Sequence, residues 1–299
     1  MFKVALLTEE RYLNPSKSNW YVQNILNEDL LVSNALRLLN IQATRVAWDS
    51  PNCLKNFQYA LFRTTWNYFD KINEFYSFLQ LWKDKVSFIN SYPQILWNLN
   101  KRYLIELEAK GINIPGTLLV EKGSSASLNK VCEEKKWTEI VIKPTVSAAA
   151  WETYRLKYPV GPKESELFEK LSAKHEMLIQ SFQKKILSFG EISLMIINGE
   201  YSHGVLKKSR KGDFRVQDDF GGTVTNYEAG FSEIEFAKKV IQALNFLPTY
   251  ARVDLIIDNS GLLALSELEL IEPEMWFRKK TNSANLLAHA IKKKIFQAN

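Results

Sequence analysis

The stretch 251–273, ARVDLIIDNSGLLALSELELIEP, sets three carboxylates into two runs otherwise suited to a buried sheet. Arg252-Val253-Asp254 opens one apolar, β-branched run, Asp258-Asn259-Ser260-Gly261 supplies a turn, and the second run carries Glu267 and Glu269 between leucines. Directly opposed residues of a hairpin share a face, and so do residues i and i+2. A two- or four-residue loop therefore places Asp254, Glu267 and Glu269 on one face, within cross-strand reach. Clustered carboxylates repel one another and lose hydration, so they require cations nearby. Hard oxygen donors suit magnesium, whose shell is commonly completed by water and substrate phosphates. The same alternation would also serve a solvated polar face on an edge hairpin.

Lysines stand at the ends of two apolar strands. Ile140-Val141-Ile142 finishes on Lys143, followed by Pro144 and the small-residue run Thr145-Val146-Ser147-Ala148-Ala149-Ala150. A buried ammonium is costly without a partner, so Lys143 must escape to solvent or face an anion. The small residues after it let backbone N–H groups approach phosphate oxygens, although no G-x-x-x-x-G-K-[ST] loop is present. Lys207 ends Gly204-Val205-Leu206 and is followed by Lys208, Arg210 and Gly212-Asp213-Phe214-Arg215. A nucleoside triphosphate needs both features, lysines for its phosphates and carboxylates for the magnesium that bridges them.

The elements that position these groups begin with a strand over 3–7, a helix over 28–39, strands over 43–47 and 59–63, and an amphipathic segment over 71–83. Alternation of this kind predicts a parallel α/β layer with ligands at the carboxyl ends of its strands. Thr8-Glu9 and Arg63-Thr64-Thr65-Trp66-Asn67-Tyr68 occupy that edge. Past a junction near 91–93, a helix over 99–110 carries Lys101 and stops at Gly111. Strands over 118–120 and 140–143 flank a helix over 128–136. A strand over 177–182 comes next, then a hairpin whose Asn198-Gly199 pair suits a type I′ turn between 192–197 and 201–207. A loop over 212–222 leads to a helix capped by Ser232 and Glu235 and running to Asn245. The division expected is 1–93, 94–176 and 177–299.

The chain has 299 residues, 46% of them hydrophobic, which suffices for real cores. No run approaches a membrane span, and the N-terminal MFKVALLTEE is interrupted too soon for a signal peptide. Cys53 and Cys132 lack metal spacing and fit a reducing, cytoplasmic setting; with three scattered histidines, zinc is not expected. The net charge of +6 comes from dispersed residues, so neither a nucleic-acid nor a membrane partner is expected. Lys292-Lys293-Lys294 suits a helix C-terminus. A homodimer is the default assembly.

Taken in order, Lys101, IVIKP, the small-residue loop, Gln180-Ser181-Phe182, Gly190-Glu191, SHGVLKK, GDFR, RVD and ELELIEP resemble the ATP-grasp superfamily in its glutathione-synthetase-like branch. Within it they look most like the group that includes O-ureido-D-serine cyclo-ligase. The resemblance implies α/β and α+β architecture, with a Rossmann-like N-terminal (pre-ATP-grasp) domain followed by a two-lobed ATP-grasp fold. It implies that Lys101, Lys143, Ser147 and Lys207 contact ATP, that Gln180, Ser181 and Phe182 form the hinge facing adenine, and that Glu191 binds ribose. Asp254, Glu267 and Glu269 would hold two magnesium ions. Arg252, Lys207, Arg210 and Arg215 would neutralise the transferred phosphoryl group or the substrate carboxylate.

The activity implied is ATP-dependent joining of a carboxylate and an amine, amino-acid-like, through an acyl phosphate. Ligation within one molecule, a kinase-like variant and a non-catalytic ATP-binding module remain open beside it. Two positions depart from the family pattern. Ala148-Ala149-Ala150 replaces glycines in the phosphate-covering loop, and alanine resists positive φ. Glu269 stands where asparagine is frequent.

Overall fold

The computed structural model describes residues 2–15, 19–124, 126–148, 150–210, 212–216 and 221–297. Ala149 and residues 217–220 of the expected 212–222 loop lie outside them. The first sheet comprises β1 (Phe2–Thr8), β2 (Ile41–Ala47), β3 (Tyr59–Thr64) and β4 (Ser87–Ile89), parallel and in the order β2-β1-β3-β4. Apart from β2, its strands read as apolar runs because helices cover both faces. On one side α2 (Trp20–Leu38) packs with Val4, Leu6 and Leu61; on the other α3 (Ile72–Trp82) meets Ala5, Leu7 and Phe62. Asn19 caps α2 by accepting from Val22 N at 2.9 Å, so the helix begins eight residues before the expected start. A short α1 (Glu10–Leu13) follows β1 at the carboxyl edge of the sheet.

The helix expected over 99–110 is two helices. α4 (Tyr92–Leu99) ends at Asn100, whose backbone is extended, and α5 (Tyr103–Ala109) starts afresh. Lys101 therefore sits in the break rather than on a helix, and its N–H donates to Thr145 O at 2.8 Å. The second sheet has the order β5 (Thr117–Val120), β8 (Met177–Ser181), β6 (Glu139–Pro144), β7 (Tyr154–Lys157), with antiparallel pairing. α6 (Leu128–Lys135) and α7 (Pro162–Lys174) bury one face of it around Ile140, Ile142 and Ile179. Because β8 lies between β5 and β6, this lobe runs through Ser181, past the expected break at 176.

The third sheet is antiparallel, in the order β11 (Thr223–Tyr227), β10 (Glu200–Lys208), β9 (Glu191–Ile197), β12 (Tyr250–Ile257), β13 (Leu263–Glu269). Asn198 and Gly199 have φ of 51° and 84°, the two left-handed residues that a two-residue hairpin of this kind requires. α8 (Phe231–Gln242) is capped through Glu233, whose carboxylate accepts from Gly230 N at 2.6 Å, and not by the expected Ser232–Glu235 pair. α9 (Asn282–Gln297) packs beside α2 and joins the first sheet to Met195, Ile197 and Val205 of the third in one core. Among the described residues no helix is long and apolar enough to cross a membrane.

Candidate active site

The carboxylate hairpin reaches the expected face by an unexpected route. Asp258 N donates to Leu262 O at 2.8 Å, closing a three-residue loop rather than one of two or four. On that register Ile257 faces Leu263 and Leu255 faces Leu265. Continued unchanged, it would set Asp254 against Ser266 and turn Glu267 to the opposite face. A bulge takes up Ser266 as an extra residue. Beyond it Asp254 opposes Glu267 and Arg252 opposes Glu269, so the three carboxylates share one face.

The same alternation runs across the sheet. Ala251, Val253 and Leu255, with Ile192, Leu194 and Ile196, bury their side chains against α5 and α8. Their neighbours Glu191, Lys207, Arg252 and Asp254 line the other face. That face and the β6–β8 surface carrying Val141, Lys143 and Gln180 enclose a cavity of about 480 Å³, within the range of small-molecule sites. Trp66 and Tyr68, from the carboxyl edge of the first sheet, close it.

Every carboxylate of the trio is turned to a cation. Arg252 Nη2 lies 2.9 Å from Asp254 Oδ2 and also meets Glu269. Lys207 Nζ lies 3.1 Å from Asp254 Oδ2 and pairs with Glu191, to which Ser266 Oγ also donates at 3.0 Å. Lys101 Nζ lies 3.1 Å from Glu267 Oε1 and donates to the carbonyl of Ser147. Burial opposes ionisation of Asp254, yet Arg252 and then Lys207 outweigh it and hold the carboxyl below its ordinary range. Burial pushes Glu269 up, and Glu191 likewise. Among the described residues no three carboxylate, imidazole or thiol groups converge tightly enough to cage an ion. The donors are nevertheless all carboxylate oxygens on one face, the hard type that suits a divalent cation such as magnesium.

Lys143 differs from its neighbours. It lines the cavity, yet no ion pair or hydrogen bond reaches its ammonium among the described residues. Burial pulls its pKa down, against the attraction of Glu267. The side chain is half-buried, and a partly desolvated charge without a partner is unfavourable, which suits a group that meets an anion.

The remaining expected residues divide. Ser147 is buried, and its hydroxyl donates to Pro144 O at 3.1 Å. Gln180 Nε2 donates to Thr117 Oγ1 at 2.9 Å, and Gln180, Ser181 and Phe182 all line the cavity. The Arg155 guanidinium covers the Phe182 ring at 3.8 Å. Glu191 sits within the charged cluster, tied to Lys207. Arg215 lines the cavity and chelates Asp213, with Nη2 to Oδ2 at 2.7 Å. Arg210 is exposed and does not line it. Of the tryptophans, Trp66 and Trp276 line the cavity, whereas Trp97 packs on Tyr103 and Trp151 on Phe69. Ala150 does adopt φ of 54°, the left-handed conformation that its side chain resists.

Sequence reasoning missed Glu28 and Glu272. Glu28 and Asp29 lie on the buried face of α2, where Arg63 Nη2 meets Glu28 Oε1 at 2.6 Å and Arg63 Nε meets Asp29 Oδ1 at 3.1 Å. Glu28 also accepts from Met275 N at 2.7 Å and Phe277 N at 3.2 Å, clamping both sides of Trp276. Trp276 needs the clamp, since its φ of 45° is strained for an aromatic residue. Two adjacent acids inside a helical apolar stripe were the available signal. Glu28→Gln should lower stability by about 3 kcal/mol, the low end for breaking a buried pair because Asp29 still faces Arg63. Urea unfolding measures this, and an unchanged midpoint removes the clamp from the account.

Residues 102–291 match the RimK-like ATP-grasp domain, and residues 4–90 match the N-terminal domain of D-cycloserine synthetase DcsG. The chain is 24% identical over 280 residues to the cycloserine biosynthesis protein DcsG of Streptomyces lavendulae, covering 87% of this chain and 91% of that protein. The crystal structure of D-cycloserine synthetase DcsG aligns with a TM-score of 0.86 at 24% identity, covering 98% of this chain and 99% of the other. D-alanine–D-alanine ligase from Bacillus anthracis, complexed with ATP, gives 0.63 at 13% identity, covering 100% and 98%. ATP-grasp ligase PsnB with a precursor variant, Mg and ADP gives 0.62 at 14%, covering 97% and 98%. The α/β sheet followed by two facing antiparallel sheets is thus the ATP-grasp architecture. With a RimK-like domain matched over more than half its length, the chain belongs to the ATP-grasp ligases.

Proposed function

We propose that this chain is an ATP-dependent carboxylate–amine ligase acting on an amino-acid derivative through an acyl phosphate, with the charged cavity as its triphosphate site. The observation that carries the reading is Lys143, a cavity-lining ammonium that no ion pair or hydrogen bond reaches among the described residues, beside Lys101 and Lys207. Three ammonium groups lining one cavity with three carboxylates suit a polyphosphate carrying divalent cations. Asp254, Glu267 and Glu269 would hold magnesium, expected as two ions, which when bound neutralises phosphate charge as a Lewis acid.

A substrate carboxylate oxygen attacks the γ-phosphorus as the bond to the bridging oxygen breaks, and ADP leaves. The amine then attacks the acyl carbon, the bond to phosphate breaks, and the nitrogen loses a proton. The residues contribute position and charge neutralisation rather than covalent chemistry. Lys143 and Lys207 meet the transferring group, while Gln180, Ser181 and Phe182 hold the nucleotide base. Arg252 is oriented by Asp254 and Glu269 toward the reacting centre. The relative named D-cycloserine synthetase favours closure of a ring within one substrate molecule over the joining of two.

Protein, ATP and magnesium incubated with pooled amino acids and their derivatives of both hands should release ADP, and product mass should show whether a second molecule has been joined. Absence of substrate-dependent ADP across a broad panel contradicts the ligase reading.

A further inference from the structure

Lys207 on β10 and Arg252 on β12 reach the same oxygen of Asp254, and both also reach one aromatic ring. Arg252 Cζ lies 5.0 Å and Lys207 Nζ 5.8 Å from the centroid of Trp276, close enough for a ring face to attract each cation. The ring is 3% exposed and lines the cavity. Filling that space asks only for a large apolar side chain on an ordinary backbone. Trp276 instead has a φ of 45°, a conformation that persists only where the surroundings over-determine it.

Those surroundings come mostly from the first sheet and α2. Glu28 accepts from the amides on both sides of the ring, and Arg63 of β3 neutralises Glu28 and donates to Pro273 O at 3.4 Å. Trp66 Nε1 donates to Glu272 O at 3.0 Å, and the Glu272 carboxyl is hydrogen-bonded to the Tyr68 hydroxyl. From the third sheet, His203 Nε2 donates to Met275 O at 2.8 Å. The segment 272–277 is thus held from both sides, and the ring it carries stands against the two cations.

Asp254 and Glu269, the carboxylates paired with Arg252, are also proposed magnesium ligands. A carboxylate turned to a metal loosens its hold on a guanidinium or an ammonium. Magnesium takes oxygen donors and leaves an indole ring alone. The ring contact therefore persists where the two cations must face phosphate instead of carboxylate.

We infer that Trp276 is a positioning residue, its ring held by Glu28 as a platform that sets Arg252 and Lys207 toward the terminal phosphate of the nucleotide. The inference rests on the ligase reading and adds to it a link by which the first sheet fixes phosphate-facing cations of the third.

Calorimetric titration of the full chain with magnesium tests this, with a non-hydrolysable ATP analogue and ADP as the two probes. The ratio of their dissociation constants measures what the terminal phosphate adds to binding. The wild type should prefer the analogue by about tenfold or more, the worth of a charge-assisted contact. Trp276→Leu should cut that preference by about 5- to 10-fold, the loss of two ring–cation contacts, and leave ADP binding within about twofold. Trp276→Phe keeps an aromatic face, so its preference should stay within about twofold of the wild type. Glu28→Gln should cut the preference by roughly two- to fivefold through the loosened clamp. It decides the matter if Trp276→Leu fails to melt cooperatively.

An unchanged preference in Trp276→Leu overturns the inference, and so does an equal loss of ADP and analogue binding, the mark of a purely structural ring. Trp276→Phe as impaired as Trp276→Leu overturns it too, as does an unchanged preference in Glu28→Gln where that variant decides. Equal binding of the two nucleotides by the wild type has the same consequence. Failure of the wild type to bind either nucleotide instead overturns the ligase reading beneath it.

Discussion

Lys143→Met should make the protein more stable and nearly inactive. The ammonium of Lys143 is half-buried and has no ion pair or hydrogen bond among the described residues, so replacing it with an apolar chain of similar length removes part of a desolvation cost. A gain of up to about 1 kcal/mol in unfolding free energy is expected, read by urea denaturation, since the half-buried ammonium keeps part of its hydration. The same change removes a cation from the place where the transferring phosphoryl group is expected. Turnover should fall on the order of 10²- to 10³-fold, the usual loss when one preorganised charge-stabilising donor is deleted. Nucleotide affinity should fall roughly tenfold. A structural lysine would give the opposite pairing, lower stability with little change in turnover.

Glu267→Gln should separate chemistry from folding in another way. Its side chain is 32% exposed toward the cavity, and its partner Lys101 keeps a second acceptor in Ser147 O. Stability should therefore change by only about 1 kcal/mol, as for a partly exposed pair. Loss of a proposed magnesium ligand should cost on the order of 10³-fold in kcat, corresponding to about 4 kcal/mol at the transition state. Partial recovery at high magnesium concentration would identify weakened metal binding as the cause. Full activity at every magnesium concentration would exclude Glu267 as a ligand.

Much of the site was legible because its signals are local. Charged residues at strand ends and between leucines stand out against a sheet pattern, and they did mark Lys143, Lys207, Asp254, Glu267 and Glu269, which the fold brings to one cavity. The three-residue loop and the Ser266 bulge were not legible, because the two shift the register by compensating amounts and leave the parity unchanged. Lys101 was read onto a helix because its flanks are good helix formers; the break at Asn100–Arg102 is set by tertiary contact with Thr145. Strands β7 and β11 carry too little hydrophobic alternation to be found, since each pairs with only one neighbour and is half wetted. Helix α9 was read only at its lysine-rich end, because its buried stripe packs on elements distant in sequence, among them α2, more than 240 residues earlier in the chain. Glu28 and Glu272 were missed for the same reason, as their partners come from the opposite end of the sequence.

A crystal structure of the wild-type chain with magnesium and a non-hydrolysable ATP analogue tests most directly whether the acidic and basic groups meet at one triphosphate. It should show phosphate oxygens about 3 Å from Nζ of Lys143 and of Lys207, with metal bound by Asp254, Glu267 and Glu269 between protein and phosphates. Nucleotide bound outside this cavity would contradict the account. So would a metal held by phosphates alone while the three carboxylates keep their pairing with Arg252, Lys207 and Lys101.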